Sequence, residues 1–336
     1  MKKATVVFND TVYLKGTGTS VGPLEKEGPL GEYFDRDYKD NYCGEKNWEN
    51  AEERLLSDAI TIAIVSSGLD NENIDLAIAG DLINQNVISN YVMRDFDIPF
   101  LGMYGACSTS MQTLLTASLL INSKEFTNIV AAACSHNSTA ERQFRYPTEY
   151  GGQKPKSMTY TVTGAGAAIV TNKKSSIKIS SVTIGRVIDA NQNDPNDMGC
   201  AMAPAASDTI IRHLKELNIS PDYYDMIVTG DLSKVGSRVL LDIMREEGYN
   251  IDKLHEDCGK LIFTDKQPVF SGGSGCACCA VVTYGYIKNL LEINKIKRVL
   301  VVATGALLNP VMMLQKETIP SIAHAVAFEK CDEVEK

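Results

Sequence analysis

The chain contains no apolar run approaching the ~18 residues that a membrane-spanning helix requires. Its first ten residues are basic, but the apolar stretch there is too short for a secretory leader, so synthesis in the cytoplasm is expected. A basic surplus is also lacking. Lys and Arg number 33 against 42 Asp and Glu, a net charge of −9. That balance excludes a general nucleic-acid binder, which needs a basic face. It leaves room for a small anionic ligand, because a pocket can be locally positive within an acidic protein. Histidine is scarce, with four in 336 residues. The nine cysteines are odd in number and several lie inside apolar segments, which reads as reduced thiols rather than a disulfide framework. Cys276, Cys278 and Cys279 contain one C-x-x-C spacing, yet no second pair and no nearby His completes a zinc set. Small side chains on a helix packed tightly against a sheet explain them better.

What is present is an alternation of helix-like and strand-like runs. Residues 47–68 carry Leu55, Leu56, Ala59, Ile62 and Ala63 at helical spacing. Short apolar strands follow at 74–79, near Phe100 and at 129–133, separated by helical runs through Tyr91 and Met93 and from Cys107 to Leu119. Such alternation predicts βαβ units and a largely parallel sheet. Pro204, within 199–217, predicts a break near the start of a further helix.

The order then recurs. Met226-Ile227-Val228-Thr229-Gly230-Asp231-Leu232 matches Leu76-Ala77-Ile78-Ala79-Gly80-Asp81-Leu82, an offset of 231 − 81 = 150. Cys276 matches Cys107 at 276 − 107 = 169, and the same offset reaches Val299 from Val130 and Thr304 from Ser135. Gly166-Ala167-Ala168-Ile169-Val170 is echoed by His324-Ala325-Val326-Ala327-Phe328. Three matches in one order predict a duplication, with halves at 1–180 and 181–336 and a loop insertion at 136–160. Ligands gather beyond the carboxyl ends of strands in open α/β sheets, so the crevice between the halves is the expected pocket.

Gly105-Ala106-Cys107-Ser108-Thr109 at a helix start, within two α/β halves, resembles the thiolase superfamily of thiolases and ketoacyl synthases. The resemblance implies two βαβαβαββ-type halves forming a five-layered αβαβα sandwich, with Cys107 at the position of the acyl-accepting nucleophile. A helix N-terminus favours a thiolate, and neighbouring N–H groups stabilise an oxyanion. The superfamily's enzymes add a His and an Asn, or two His, from the second half. Thr229-Gly230-Asp231 and Ser271-Gly272-Gly273-Ser274-Gly275 stand at those positions here. Without such groups, carbanion chemistry lacks its base. The expectation is a protein that is not an enzyme; the alternative is a Cys107-dependent acyltransferase with His136 or His324 as base.

A narrower likeness covers essentially the whole chain. Thr139-Ala140-Glu141-Arg142-Gln143-Phe144-Arg145, Pro147-Thr148-Glu149-Tyr150-Gly151, Gln153-Lys154-Pro155, Thr161-Val162-Thr163-Gly164-Ala165-Gly166 and Ile319-Pro320-Ser321-Ile322-Ala323-His324-Ala325-Val326 resemble the stage V sporulation protein AD family. The resemblance implies a spore-forming source and binding of dipicolinic acid, a small planar dianion that chelates Ca²⁺. It also implies integral-membrane partners of the same sporulation channel, which move that ligand into the developing spore. A homodimer, held peripherally at the forespore or spore inner membrane, is the expected assembly. No cofactor and no intrinsic metal is expected; Ca²⁺ enters only with dipicolinate.

The ligand-binding candidates are Cys107, Ser135, His136, Asp81, Asp231, Gly272, Gly273, Thr304, His324, Arg142 and Arg145. Arg142 and Arg145 suit carboxylates, and Asp81 and Asp231 are placed to meet a Ca²⁺ carried by the ligand. Each has a plainer reading. The aspartates fit turns or helix caps. The histidines fit satisfied core positions. The arginines fit ion pairs with Glu141 and Glu149, and Cys107 fits a nucleophile position that now only packs.

Overall fold

The computed structural model describes residues 3–144 and 154–331. In the first half, strands β1 (Tyr13–Val21), β2 (Leu76–Gly80), β3 (Phe100–Gly102), β4 (Asn128–Ser135) and β5 (Gly164–Thr171) alternate with helices. The helices are α1 (Trp48–Ser66), α2 (Val87–Met93), α3 (Thr109–Asn122) and α4 (Asn137–Phe144). The second half repeats the plan with β6 (Ile177–Thr183), β7 (Met226–Thr229), β8 (His255–Asp257), β9 (Arg298–Ala306) and β10 (Ser321–Lys330). Its helices are α5 (Met198–Leu217), α6 (Ser233–Glu246) and α7 (Cys276–Val281), the last continuing through a π-turn at Val282–Ile287.

The strand orders are β3-β2-β4-β5-β1 and β8-β7-β9-β10-β6, the same permutation twice. In each half the first three strands pair in parallel, while β5 and β10 run antiparallel to both neighbours. The largely parallel sheet expected from the alternation is thus mixed, because the last strand of each half returns without a βαβ crossover. Tyr13 and Leu14 of β1 pair with Lys178 and Ile177 of β6, joining the two sheets. The division expected at 180/181 falls inside β6.

Both faces of both sheets are buried, which is why these strands read as continuous apolar runs. Alternate residues sort them: Val130, Ala132 and Cys134 pack outward under α1 with Leu55, Leu56 and Ala59. Ile129, Ala131 and Ala133 face inward, in one cluster with Met111 and Leu114 of α3 and Cys276–Val281 of α7. That cluster also takes Val299, Val301 and Ala303 of β9, whereas Leu300 and Val302 pack under α5 and α6. Helices α3 and α7 therefore form a middle layer between two sheets, and the αβαβα sandwich is complete. Cys276, Cys278 and Cys279 are buried within it as packing residues.

Register corrects one part of the duplication. Leu76 pairs with Ile129, and its counterpart Met226 pairs with Val299. The equivalence is therefore Ile129 with Val299, an offset of 299 − 129 = 170, and Thr304 corresponds to Cys134 rather than Ser135. A slip of one residue exchanges the two faces of a strand. Pro204 makes no break: α5 runs through it from the Asp197 cap. The 136–160 segment is not all loop either, since it opens with α4.

The middle layer is thin because β5 and α7 touch backbone to backbone. A Cβ on Gly166 would lie 2.8 Å from both the carbonyl carbon and the Cβ of Ala280. Gly166→Val is expected to destabilise the protein by about 1–3 kcal/mol through overpacking. Urea unfolding reads this; an unchanged midpoint would show that α7 can withdraw from the sheet.

Candidate functional site

Strands β2 and β7 deliver Asp81 and Asp231 from equivalent positions, yet the two carboxylates do different work. Asp81 folds back on its own turn. Its Oδ1 accepts from the Ile83 amide at 2.9 Å, and its Oδ2 accepts from the Ser89 amide at 2.9 Å and hydroxyl at 2.7 Å. In the second half the turn is held instead by Asp257, at the end of β8, which accepts from the Leu232 and Ser233 amides at 2.9 Å each. Asp231 is thereby released toward the crevice. Its Oδ1 accepts from the Thr304 hydroxyl at 2.6 Å and its Oδ2 from the Gly275 amide at 3.0 Å. The Cys107 thiol donates to the same carboxylate.

Cys107 lies two residues before the first helical residue of α3, not at the helix start itself. Ala106 takes a left-handed φ of 50°, and the Ser108 and Thr109 amides turn back to the Gly105 and Ala106 carbonyls at 3.1 and 3.2 Å. Two donors expected to serve a ligand are thus used within the turn. Burial, then the neighbouring Asp231 carboxylate, holds the Cys107 thiol well above the ordinary thiol range. Asp231 itself is pushed up to about 7 by burial, against the bonds from Thr304, Cys107 and Gly275. A nucleophilic cysteine needs a partner that stabilises its thiolate. Asp231 does the reverse: it stabilises the thiol as a hydrogen-bond donor.

Above Cys107 lies a small cavity of about 30 Å³. Leu82, Tyr104, Ala140, Phe144, Met198 and Leu308 supply its apolar walls, and Thr161, Ser274 and Gly275 its polar edge. Among the described residues, no Lys, Arg or His lines it.

Of the candidates, Cys107, Asp231 and Thr304 are brought together. Ser135 stands behind Gly275: its hydroxyl donates to the Val162 carbonyl at 2.7 Å and accepts from the Ala277 amide at 3.3 Å, pinning the start of α7. His136 faces away. Its Nδ1 accepts from the Ser138 amide at 3.1 Å, leaving Nε2 to donate to the Asn41 carbonyl at 2.8 Å, and burial lowers its pKa. His324 accepts from the Gly185 amide at 3.2 Å, is held down to about 4 by burial, and lines a separate cavity beyond Tyr104 and Ala106.

Arg142 pairs with Glu49, neither of the glutamates expected, and sits 5.7 Å over the Trp48 ring. Arg145 and Glu149 lie outside the described residues. Gly272 and Gly273 hold a turn rather than line the cavity. Gly272 has φ +142°, a Cβ there would come within 2.6 Å of the Gly259 carbonyl, and Gly273–Ser274 pairs with Tyr160–Thr161. Protein donors engage both oxygens of Asp81 and of Asp231. No cluster of three or more His, Cys, Asp or Glu able to hold a metal ion occurs among the described residues.

Sequence reasoning missed the walls. Tyr104, three residues before Cys107, was within reach of it. Met198, Leu308 and Phe144 come from distant elements and leave no spacing signal.

A family model described as Stage V sporulation protein AD matches residues 2–329. The Stage V sporulation protein AD of Bacillus subtilis (strain 168) is 55% identical over 328 residues, covering 98% of this chain and 97% of that protein. Among solved structures, 3-oxoacyl-[acyl-carrier-protein] synthase III from Aquifex aeolicus aligns at 13% identity, covering 95% of this chain and 99% of that one, with a TM-score of 0.59. Cerulenin-bound OleA from Xanthomonas campestris aligns at 12% identity, covering 96% and 98%, with a TM-score of 0.62. At these identities the structures share the fold.

Two outcomes follow from the site's electrostatics. Cys107 is expected to react with iodoacetamide at about pH 8 at least roughly tenfold more slowly than an exposed cysteine peptide, and faster in Asp231→Asn. Peptide mass spectrometry reads both rates, and a Cys107 as reactive as the peptide contradicts the protonated thiol. Glu52, buried with bonds from Thr139 and Cys134, is pushed up to about 8 by burial. A carboxyl group raised on folding contributes stability that is full below its unfolded pKa and lost as pH rises through the folded value. Thermal stability should therefore fall between about pH 4.5 and 8, and Glu52→Gln should flatten that fall by a few degrees. A variant with the wild-type pH profile would remove Glu52 from the account.

Proposed function

The chain belongs to the stage V sporulation protein AD family, and on that premise we propose that it binds dipicolinic acid without catalysing a reaction. In this reading it holds the ligand, free or as its calcium chelate, in the cavity over Cys107. It thereby supports dipicolinate uptake into the developing spore. The observation that carries the reading is the pairing of Cys107 with Asp231. The scaffold keeps the nucleophile's position but sets a carboxylate beside it where a condensing enzyme has a base, and the thiol stays protonated.

The lining of the cavity, rather than its volume, suits a small planar ring. Tyr104 and Phe144 offer aromatic surface, Leu82, Met198 and Leu308 close around it, and Thr161, Ser274 and Gly275 supply polar groups at one side. Cys107, with its S–H, is the floor. An acyl-transfer role for Cys107 would need a general base, and neither histidine named for it reaches the thiol. His136 is turned to Asn41 and His324 faces the neighbouring cavity.

No helix among the described residues is long and apolar enough to cross a membrane. Transport would therefore require partners: we propose integral-membrane proteins of the same sporulation channel, with this chain peripheral at the spore inner membrane and paired as a homodimer.

Calorimetric titration with dipicolinate, with and without Ca²⁺, tests the reading; no saturable binding to folded protein would end it. Met198→Trp, filling the cavity from its half-buried rim, should weaken binding at least roughly tenfold while moving Tm by less than about 2 °C. Equal affinity in that variant would place the ligand elsewhere.

A further inference from the structure

The charge inventory of the Cys107 cavity carries a consequence for the ligand, resting on its reading as a dipicolinate site. A dicarboxylate entering it meets no compensating cation among the described residues. Arg142, on the adjoining helix, is committed to Glu49 and the Trp48 ring. Lys154 pairs with Glu141 at 3.3 Å. What lies directly under the floor is a carboxylate: Asp231 is bonded to Gly275 and Cys107, and both of these line the cavity. Two carboxylates brought close in a low-dielectric space do not both remain ionised.

We propose that Asp231 takes up one proton from solvent when a carboxylate ligand enters, so that this site binds the free dianion together with a proton. No covalent bond is made or broken beyond that protonation. The Cys107 S–H, losing its anionic acceptor, is then free to turn and donate to the ligand. Thr304 and Gly275 keep the protonated group in place.

The other titratable groups facing Asp231 are three thiols and one carboxylate. Cys107 comes from the turn before α3, and Cys276 and Cys278 come from α7; burial keeps all three as thiols at neutral pH. Asp257, at the end of β8, is also raised by burial, but Thr229 and the amides of Leu232, Ser233 and Lys260 donate to it and favour its ionised form. Asp231 in the empty site already stands at about 7, so a modest push from the ligand suffices. The calcium chelate carries its own compensation and should draw no proton.

The test is calorimetry of the full chain with dipicolinate at about pH 7.5, in phosphate and in Tris, whose ionisation enthalpies differ. The expected result is uptake of about 0.5–1 proton per site, with affinity falling roughly tenfold per pH unit above neutrality. Asp231→Asn should bind with uptake near zero and an affinity nearly independent of pH, and the preformed calcium chelate should show uptake near zero on wild-type protein. Saturable wild-type binding of the free dianion with no proton uptake overturns this inference and leaves the binding function standing. Absence of binding at every pH overturns both. The wild-type proton count decides the matter even if the variant fails to fold.

Discussion

The constraint on which this structure depends is the thinness of its middle layer. Two helices, α3 and α7, are packed between two sheets, and each sheet must be apolar on both faces to hold them. Where β5 and α7 come closest, that arrangement requires small side chains. Gly166 of β5 receives the Ala280 backbone, and α7 opens on Cys276, Ala277, Cys278, Cys279 and Ala280. Close packing of this kind carries much of the stability of a large core, and it tolerates little added volume. It also sets the site. Because α3 and α7 are neighbours, the turn carrying Cys107 and the turn carrying Gly275 meet, and Asp231 bridges them.

The site arises where a duplicated architecture departs from its own symmetry. Asp81 and Asp231 leave matched strands and begin with the same opportunity to cap the turn that follows. In the first half Asp81 takes it. In the second half Asp257 supplies the cap from the next strand, and Asp231 is left buried with Thr304, Gly275 and Cys107 as its partners. A buried carboxylate is costly unless it is hydrogen-bonded. Thr304 and Gly275 meet that requirement with short bonds, and the thiol adds a third. The asymmetry is therefore stabilised locally.

Much of the architecture was legible because it rests on periodicity. Alternating apolar runs and the recurrence of Gly-Asp-Leu after β2 and β7 are local signals, and the helices and strands they announce are present. The misjudged details have non-local causes. Ser135 and Thr304 share an offset from Cys107 and Cys276, yet one extra residue before β9 puts their side chains on opposite faces, and only strand pairing reveals it. His136 and His324 were attractive as rare residues at strand ends. Their directions were settled by the Asn41 carbonyl and the Gly185 amide, groups far away in sequence. Arg142 found Glu49 rather than a nearer glutamate for the same reason. The cavity walls were the least legible part, since Leu82, Phe144, Met198 and Leu308 converge only after both halves have folded.

In the proposed reading, the change from enzyme-like to binder-like chemistry on this scaffold requires very little. A thiol next to an imidazole shares its proton and becomes an anion that attacks. The same thiol next to a buried carboxylate keeps its proton, because a second negative charge in that space is opposed both by desolvation and by Coulomb repulsion. Position, fold and cavity can all remain, while the residue's role turns from attack to donation. The apolar walls then matter more than the thiol. In that reading they would exclude water from one face of a planar ligand, where a single S–H and a few edge hydrogen bonds would orient it more strongly than they would in solvent.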